Sequence, residues 1–454
     1  MKKFFRNLYQ SKKSKARLGE ITTDHGVIQT PAFVPVGTKG TIKALLPNLI
    51  PEIKIQVAFV NTYHLVTHPG AEIIEKAGGI HKFANLSIPL MSDSGGFQVF
   101  SLAGKNKFKD QNSNVKNQEE KRVKILQDDG QRLKRPMIEK ISNDGVEFRS
   151  VFDGELIEFT PEKSMKYQKM IGADINMAFD ECTYYPATKK YAEKAMKRTH
   201  EWLRRCIRYR KSEIRIPKSE TNSKFEIRNS KQNSLNNLNL ENSNLFSVSD
   251  FEFRNYFYGV IQGATFEDLR KQSAEFVISQ NVDGVAIGGV SVGETKKEMR
   301  NQVEWIADYL PKDKPVHLLG VGQIDDIIDL AKFGIDTFDC VEPTRLARMG
   351  VLYMSENVQL SITNNQSNSK FKINPKPKNH RTETDILRGQ YRYDLSRVDE
   401  ECNCYVCTNF TKAYLHHLFK QREILGYNLA TYHNLWVMEK LMEEIRQKIK
   451  NDKI

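Results

Sequence analysis

Eight short apolar runs, rich in branched or aromatic side chains, recur along this chain of 454 residues. They lie at 32–36, 56–61, 88–93, 174–180, 257–262, 284–288, 315–320 and 336–340, most of them ending on or beside glycine or a polar residue. Amphipathic stretches separate many of them, for example 192–208 and 265–278. Strands alternating with helices build a parallel sheet, because each crossover helix returns the chain to the same end. Eight is the number that closes such a sheet into a (β/α)8 TIM barrel. A doubly wound open sheet is the structural alternative.

Two segments interrupt the alternation. Residues 104–143 carry eleven Lys/Arg against six Asp/Glu with little apolar periodicity, and 211–250 hold eight Asn and eight Ser. Such stretches bury too little apolar surface to form a core, and both read as surface insertions in a barrel domain spanning 1–370. A separate subdomain at 371–433 around a cysteine cluster, and a C-terminal helix at 434–454, complete the expected organisation, the helix carrying Leu435, Met438, Leu441, Met442, Ile445 and Ile449 on one face. No apolar run approaches the roughly 20 residues of a membrane span, and no apolar signal core follows the basic N-terminus. A soluble, cytoplasmic protein is expected. The net charge of +13 suits a polyanionic partner, nucleic acid first, or else reflects a lysine-rich composition throughout.

Barrel enzymes carry their chemistry at the C-terminal strand ends. Three of those ends place an aspartate there: Asp93 in SDSGGFQ, Asp180 in FDEC and Asp339 in FDCVEPTR. One such carboxylate is often a cap or turn residue, whereas three at one rim, with Gln262 and two Gly-Gly turns, suggest a site. Two carboxylates about a sugar ring apart can break a glycosidic bond by double displacement, one as nucleophile and one handling the proton. Gly-Gly in a pocket wall lets a flat ligand reach backbone N–H and C=O groups. Phe97 can stack on a base or be a plain core aromatic. Cys402, Cys404 and Cys407 form C-x-C-x2-C, with His433 a further 26 positions on. Three thiolates and an imidazole suit a closed, structural Zn²⁺ site; His416 and His417 are rival ligands, disfavoured here because they sit in a helical stretch.

Through SDSGGFQVFSL, FDECTYYPA, GVIQGATFEDLR, GVAIGGVSVGE, LLGVGQIDD, FDCVEPTRLAR and CNCYVC, the chain resembles bacterial tRNA-guanine transglycosylases over roughly 12–103, 141–210 and 255–445. The resemblance implies an enzyme exchanging the wobble guanine of tRNA for 7-aminomethyl-7-deazaguanine through a covalent aspartyl intermediate. It implies Asp339 as nucleophile and Asp93 as general acid/base. Asp180 would accept hydrogen bonds from the purine's donor edge, Gln262 and Gly289 would recognise its carbonyl edge, and Phe97 and Leu319 would sandwich it. Gly320, Val321, Gly322, Gln323, Ile324, Asp325 and Asp326, together with Thr344, Arg345, Leu346, Ala347 and Arg348, match stretches that contact the anticodon loop. Cys402, Cys404, Cys407 and His433 match the ligands of one Zn²⁺ per chain, and a homodimer is implied. Cys182 and Val292 match the pattern for the aminomethyl base rather than queuine. Glu342 departs from the family, placing an acid where an apolar residue is usual, beside the arginine pair.

Two other functions compete. A catalytically silent tRNA-binding subunit would have no need of all three aspartates. A barrel glycoside hydrolase explains the carboxylates but neither the cysteine cluster nor the basic charge.

Overall fold

A computed structural model describes residues 3–97, 138–150, 154–215, 255–355 and 383–454. The chain opens with three antiparallel strands, β1 (Phe5–Gln10), β2 (Arg17–Thr23) and β3 (Gly26–Thr30). In β2 buried residues alternate with half-buried ones, the pattern of a strand with one face on a core. This sheet was not anticipated, although the alternation on either side of Thr23-Asp24-His25-Gly26 is a hairpin signature.

The first barrel strands are β4 (Ala32–Pro35), β5 (Ala58–Val60) and β6 (Leu90–Ser92). A three-stranded antiparallel sheet follows, β7 (Ile138–Ile141), β8 (Val146–Arg149) and β9 (Leu156–Phe159). The barrel resumes with β10 (Ile175–Met177), β11 (Tyr256–Ile261), β12 (Gly284–Ile287), β13 (Val316–Leu318) and β14 (Thr337–Cys340). All eight barrel strands fall within the runs expected from sequence or one residue outside them. Their order is β4-β14-β13-β12-β11-β10-β6-β5, every pairing is parallel, and a bridge between Val36 and Phe59 joins the two ends. The sheet is a closed (β/α)8 barrel and not the doubly wound alternative.

The helices Glu267–Ser279 and Lys189–Arg215 cover the stretches expected to be helical. The expected insertion at 211–250 lies outside the described residues except for the end of Lys189–Arg215. That at 104–143 is described only from residue 138, where it contributes β7.

The N-terminal sheet closes the barrel end opposite the candidate site. Arg17 on β2 grips Asp336, which immediately precedes β14, with Nε 3.1 Å from Oδ1 and Nη2 on Oδ2. Thr30 Oγ1 and the Val316 N–H also donate to Asp336, at 3.1 and 2.7 Å. His25 reaches the start of β10 in the same way, 2.7 Å from Asp174.

Beyond the barrel come β15 (Val351–Tyr353) and β16 (Glu383–Asp385), an antiparallel pair, and then helices Tyr405–Asn409, Lys412–Lys420 and Ile424–Lys450. The last helix starts ten residues before the expected 434. Its first turns bury Gly426, Leu429, Ala430 and Tyr432, so an apolar face was present there but was interrupted by small and aromatic residues.

Removing one partner of a buried, fully hydrogen-bonded ion pair leaves the other charge uncompensated, at about 3–5 kcal/mol. Arg17→Met is therefore expected to lower the unfolding free energy by about that much in urea denaturation; a loss below about 1 kcal/mol, the range of exposed pairs, would contradict this role.

Candidate functional site

Parallel closure puts every strand's C-terminal end at one rim, and the sequence places an acid just past β6, just past β10 and within β14. Asp93, Asp180 and Asp339 are 9%, 7% and 8% exposed, so all three carboxylates are nearly out of water. Each accepts hydrogen bonds from neighbouring groups. Asp93 accepts from Asn61 Nδ2 (2.6 Å) and from the Thr62 and Gly95 N–H groups (2.7 and 3.2 Å). Asp180 accepts from Ser94 Oγ (3.1 Å) and Gln262 Nε2 (2.7 Å). Asp339 accepts from the Gly320 N–H at 2.9 Å and lies 3.1 Å from His317 Nε2.

His317 was missed in the sequence. It is fully buried on β13, and its Nδ1 lies 2.8 Å from Thr337 Oγ1. A carboxylate only accepts, so Nε2 carries the proton and Nδ1 accepts from the threonine. Thr337 and Asp339 are two apart on β14 and share a face, so one histidine aligns both. The His317 ring also stacks on Phe59 of β5, centroids 5.7 Å apart, two residues before the Asn61 that braces Asp93. His317 thus packs against the strand that leads into Asn61.

Burial raises the Asp180 carboxyl to about 6, against the pull of the Gln262 and Ser94 hydrogen bonds and with a further push from Asp93 and Glu181. The carboxylate also orients the Gln262 amide: Nε2 faces Asp180, and the buried Oε1 has no partner. Buried polar groups in proteins are as a rule paired, and an orphan acceptor beside Asp180 at the rim points to a ligand donor. The adjoining Gly289 has φ +64°, and a Cβ there would sit 2.2 Å from that oxygen. Gly96 has a different reason for being glycine. A Cβ would lie 2.5 Å from the Asp180 carbonyl oxygen, so its missing side chain makes room for protein rather than ligand.

Phe97 is 48% exposed, which removes the core-aromatic reading. Leu319 is half-buried, near Gly288. Of the residues matched to the RNA-contacting stretches, Val321, Gly322, Ile324, Asp326, Thr344 and Ala347 are buried. Gly320, Gln323, Asp325, Arg345, Leu346 and Arg348 remain accessible. Asp325 is engaged by Lys296 at 2.6 Å and Arg300 at 3.1 Å. Glu342 is not a surface acid: it is 8% exposed and accepts from Gln323 Nε2 at 3.0 Å, tying the two stretches together.

Cys402, Cys404, Cys407 and His433 are all buried, with His433 Nδ1 3.8, 3.5 and 3.3 Å from the three Sγ atoms. Tetrahedral bonds of about 2.3 Å to sulfur and 2.0 Å to nitrogen place such atoms about 3.6 Å apart, so the four ligands fit one metal ion. His433 Nε2 donates to the Tyr353 carbonyl at 2.7 Å, leaving the Nδ1 lone pair facing the sulfurs. His433 itself lies on helix Ile424–Lys450, so helical placement did not disqualify its rivals. Among the described residues, the histidine whose ring nitrogen gathers with the three sulfurs is His433, not His416 or His417.

A family model described as queuine tRNA-ribosyltransferase matches residues 11–129 and 120–454. The queuine tRNA-ribosyltransferase of Aquifex aeolicus is 40% identical over 441 residues, covering 97% of this chain and 93% of that protein. Those of Thermoanaerobacter pseudethanolicus and Caldanaerobacter subterraneus subsp. tengcongensis are 39% and 38% identical, covering 99% and 97% of this chain and 94% and 92% of theirs.

Because the Asp180 pKa is raised, the neutral acid, which offers a proton instead of a second acceptor, prevails below about 6. A ligand donating N–H groups to Asp180 is expected to bind at full strength above that pH and progressively more weakly below it. Calorimetric titration across pH 5 to 8 checks this, and an affinity flat through that range contradicts it.

Proposed function

The chain belongs to the queuine tRNA-ribosyltransferase family, and on that premise we propose that it exchanges the wobble guanine of tRNA for 7-aminomethyl-7-deazaguanine by double displacement. The observation that carries this reading is the pairing of a held carboxylate, Asp339, with a pocket wall containing Asp180 and the unpartnered Gln262 Oε1 at the same rim.

Asp339 attacks C1′ of the ribose as the C1′–N9 bond to guanine breaks, the electron pair staying on N9 and taking up the proton that Asp93 carries, and the sugar is stored as an aspartyl ester. The Gly320 N–H and His317 fix the attacking oxygen's direction. Asp93 takes the proton from N9 of the incoming base, whose nitrogen then displaces Asp339 from C1′. The ester conserves the glycosidic bond's free energy, so no nucleoside triphosphate is consumed. Asp180 accepts from the N–H edge of the purine. The Gly289 N–H meets its carbonyl and Gln262 lies along the same edge, its Oε1 open to an adjoining N–H, while Phe97 and Leu319 cover its faces. The target nucleotide must leave the anticodon stack, at a few kcal/mol, least in an unpaired loop. Arg345 and Arg348 are the accessible guanidinium groups placed for its phosphates.

The metal of the Cys402–Cys404–Cys407–His433 group is Zn²⁺ in this reading, since three thiolates and one imidazole suit it and leave no position for water. It holds structure and takes no part in the chemistry. A second copy of the chain completes the proposed assembly as a homodimer.

Asp339→Asn removes the nucleophile while keeping its shape. Exchange of labelled guanine into tRNA is expected to fall by about 10⁴-fold or more with the circular dichroism spectrum unchanged; exchange at the original rate would refute the assignment. Stripping the metal with a strong chelator is expected to release one zinc per chain and lower the melting temperature by roughly 10 °C or more. An unchanged melt with no metal released contradicts the zinc reading.

A further inference from the structure

Arg270 is fully buried on helix Glu267–Ser279, and among the described residues no carboxylate is bonded to it. Its five N–H groups meet five neutral oxygens instead. Nε donates to the Ala264 carbonyl (2.8 Å), Nη1 to Gly288 (2.6 Å) and Ile261 (3.4 Å), and Nη2 to Gly289 (2.7 Å) and Gln302 Oε1 (2.6 Å). Burial lowers its pKa only to about 10, so the charge persists at neutral pH. A guanidinium presents those donors in one rigid plane, and a charge without a counter-ion is tolerable here because oriented dipoles replace water around it.

The four carbonyls are not scattered through the fold. Ile261 and Ala264 flank Gln262 and Gly263 at the end of β11, and Gly288 and Gly289 form the turn after β12. Both segments supply the groups read above as lying along the purine's carbonyl edge. In a trans peptide the N–H points opposite the C=O. Drawing the Gly288 oxygen to Arg270 therefore turns the Gly289 N–H the other way, onto the side where the Cys182 sulfur lies. The positive φ of Gly289 leaves that turn with little intrinsic preference, so an external clamp is needed to choose its orientation.

Resting on the base-exchange reading, we propose that Arg270 is a positioning residue that fixes the Gly288–Gly289 peptides as donors and so sets selectivity for a purine bearing a carbonyl. It touches no substrate and acts through these peptides. Lysine retains the charge but offers three donors on a point-like ammonium, too few and too compact to span both segments.

The test is equilibrium dialysis of labelled guanine and of 2-aminopurine, which keeps the amino edge but lacks the carbonyl. It compares the full-length chain with Arg270→Lys and, as a milder change, Gln302→Leu. Guanine binding is expected to weaken by roughly tenfold to a hundredfold in Arg270→Lys. Binding of 2-aminopurine is expected to change by less than about threefold, shrinking the preference between them. A general structural defect would weaken both equally, and that outcome, or guanine binding unchanged in folded Arg270→Lys, overturns the proposal. Should Arg270→Lys fail to give a cooperative melt, Gln302→Leu decides: a narrowed preference supports the proposal and an unchanged one overturns it. If the original chain binds no guanine, the base-exchange reading itself fails, and this inference with it.

Discussion

A carboxylate held out of water stays useful only if neighbouring groups donate to it without cancelling its charge. Asp180 and Asp339 are held that way at one rim, beside Asp93 with its own amide and backbone N–H donors. Their donors are amides, hydroxyls and an imidazole. A guanidinium or ammonium at contact distance would lock such a carboxylate in an ion pair and quench its reactivity. The barrel makes this possible, because parallel strands present consecutive C-terminal turns whose N–H groups already point toward the rim. Neutral donors also let the three differ. Asp180 is raised by burial and by its like-charged neighbours, whereas Asp339 sits on a strand where Gly320 and His317 fix one oxygen.

Much of this was legible in the residues. Strands in a closed barrel are buried on both faces, so they read as short apolar runs, and all eight appeared at their observed places. Acids at strand ends marked the rim, and the cysteine spacing marked the metal group. What escaped was whatever depends on partners distant in sequence. His317 sits inside an apolar run and looks like a core residue; only closure brings it to Asp339, 22 residues on. Arg270 looks like the exposed face of an amphipathic helix, yet it is buried because four backbone carbonyls converge on it. Glu342 read as an acid beside the arginine pair, and its bond to Gln323 was not legible. The glycines were recognised as special, but sequence could not say whether ligand or protein fills the space above each one.

The metal group and the rim are mechanically connected. His433 and Asn434, adjacent on helix Ile424–Lys450, both grip β15: His433 donates to the Tyr353 carbonyl, and Asn434 accepts from the Tyr353 N–H at 3.0 Å. Asn434 Nδ2 also donates to the Pro343 carbonyl in helix Glu342–Arg348, at 3.1 Å. That helix follows β14 directly and carries Arg345 and Arg348. An ion fixing His433 would thereby steady the helix that, in the proposed complex, faces the RNA backbone. A metal remote from the chemistry is then needed for where the substrate lies, not for what happens to it.

The central claim is that the carboxyl group of Asp339 forms a bond to the ribose. Quenching the reaction with anticodon stem-loop RNA in acid, digesting both polymers and mapping the adduct by mass spectrometry tests it directly. The account predicts a ribose-linked ester on the peptide that contains Asp339. An ester on the peptide containing Asp93 or Asp180, or turnover with no adduct on any of the three, would contradict it.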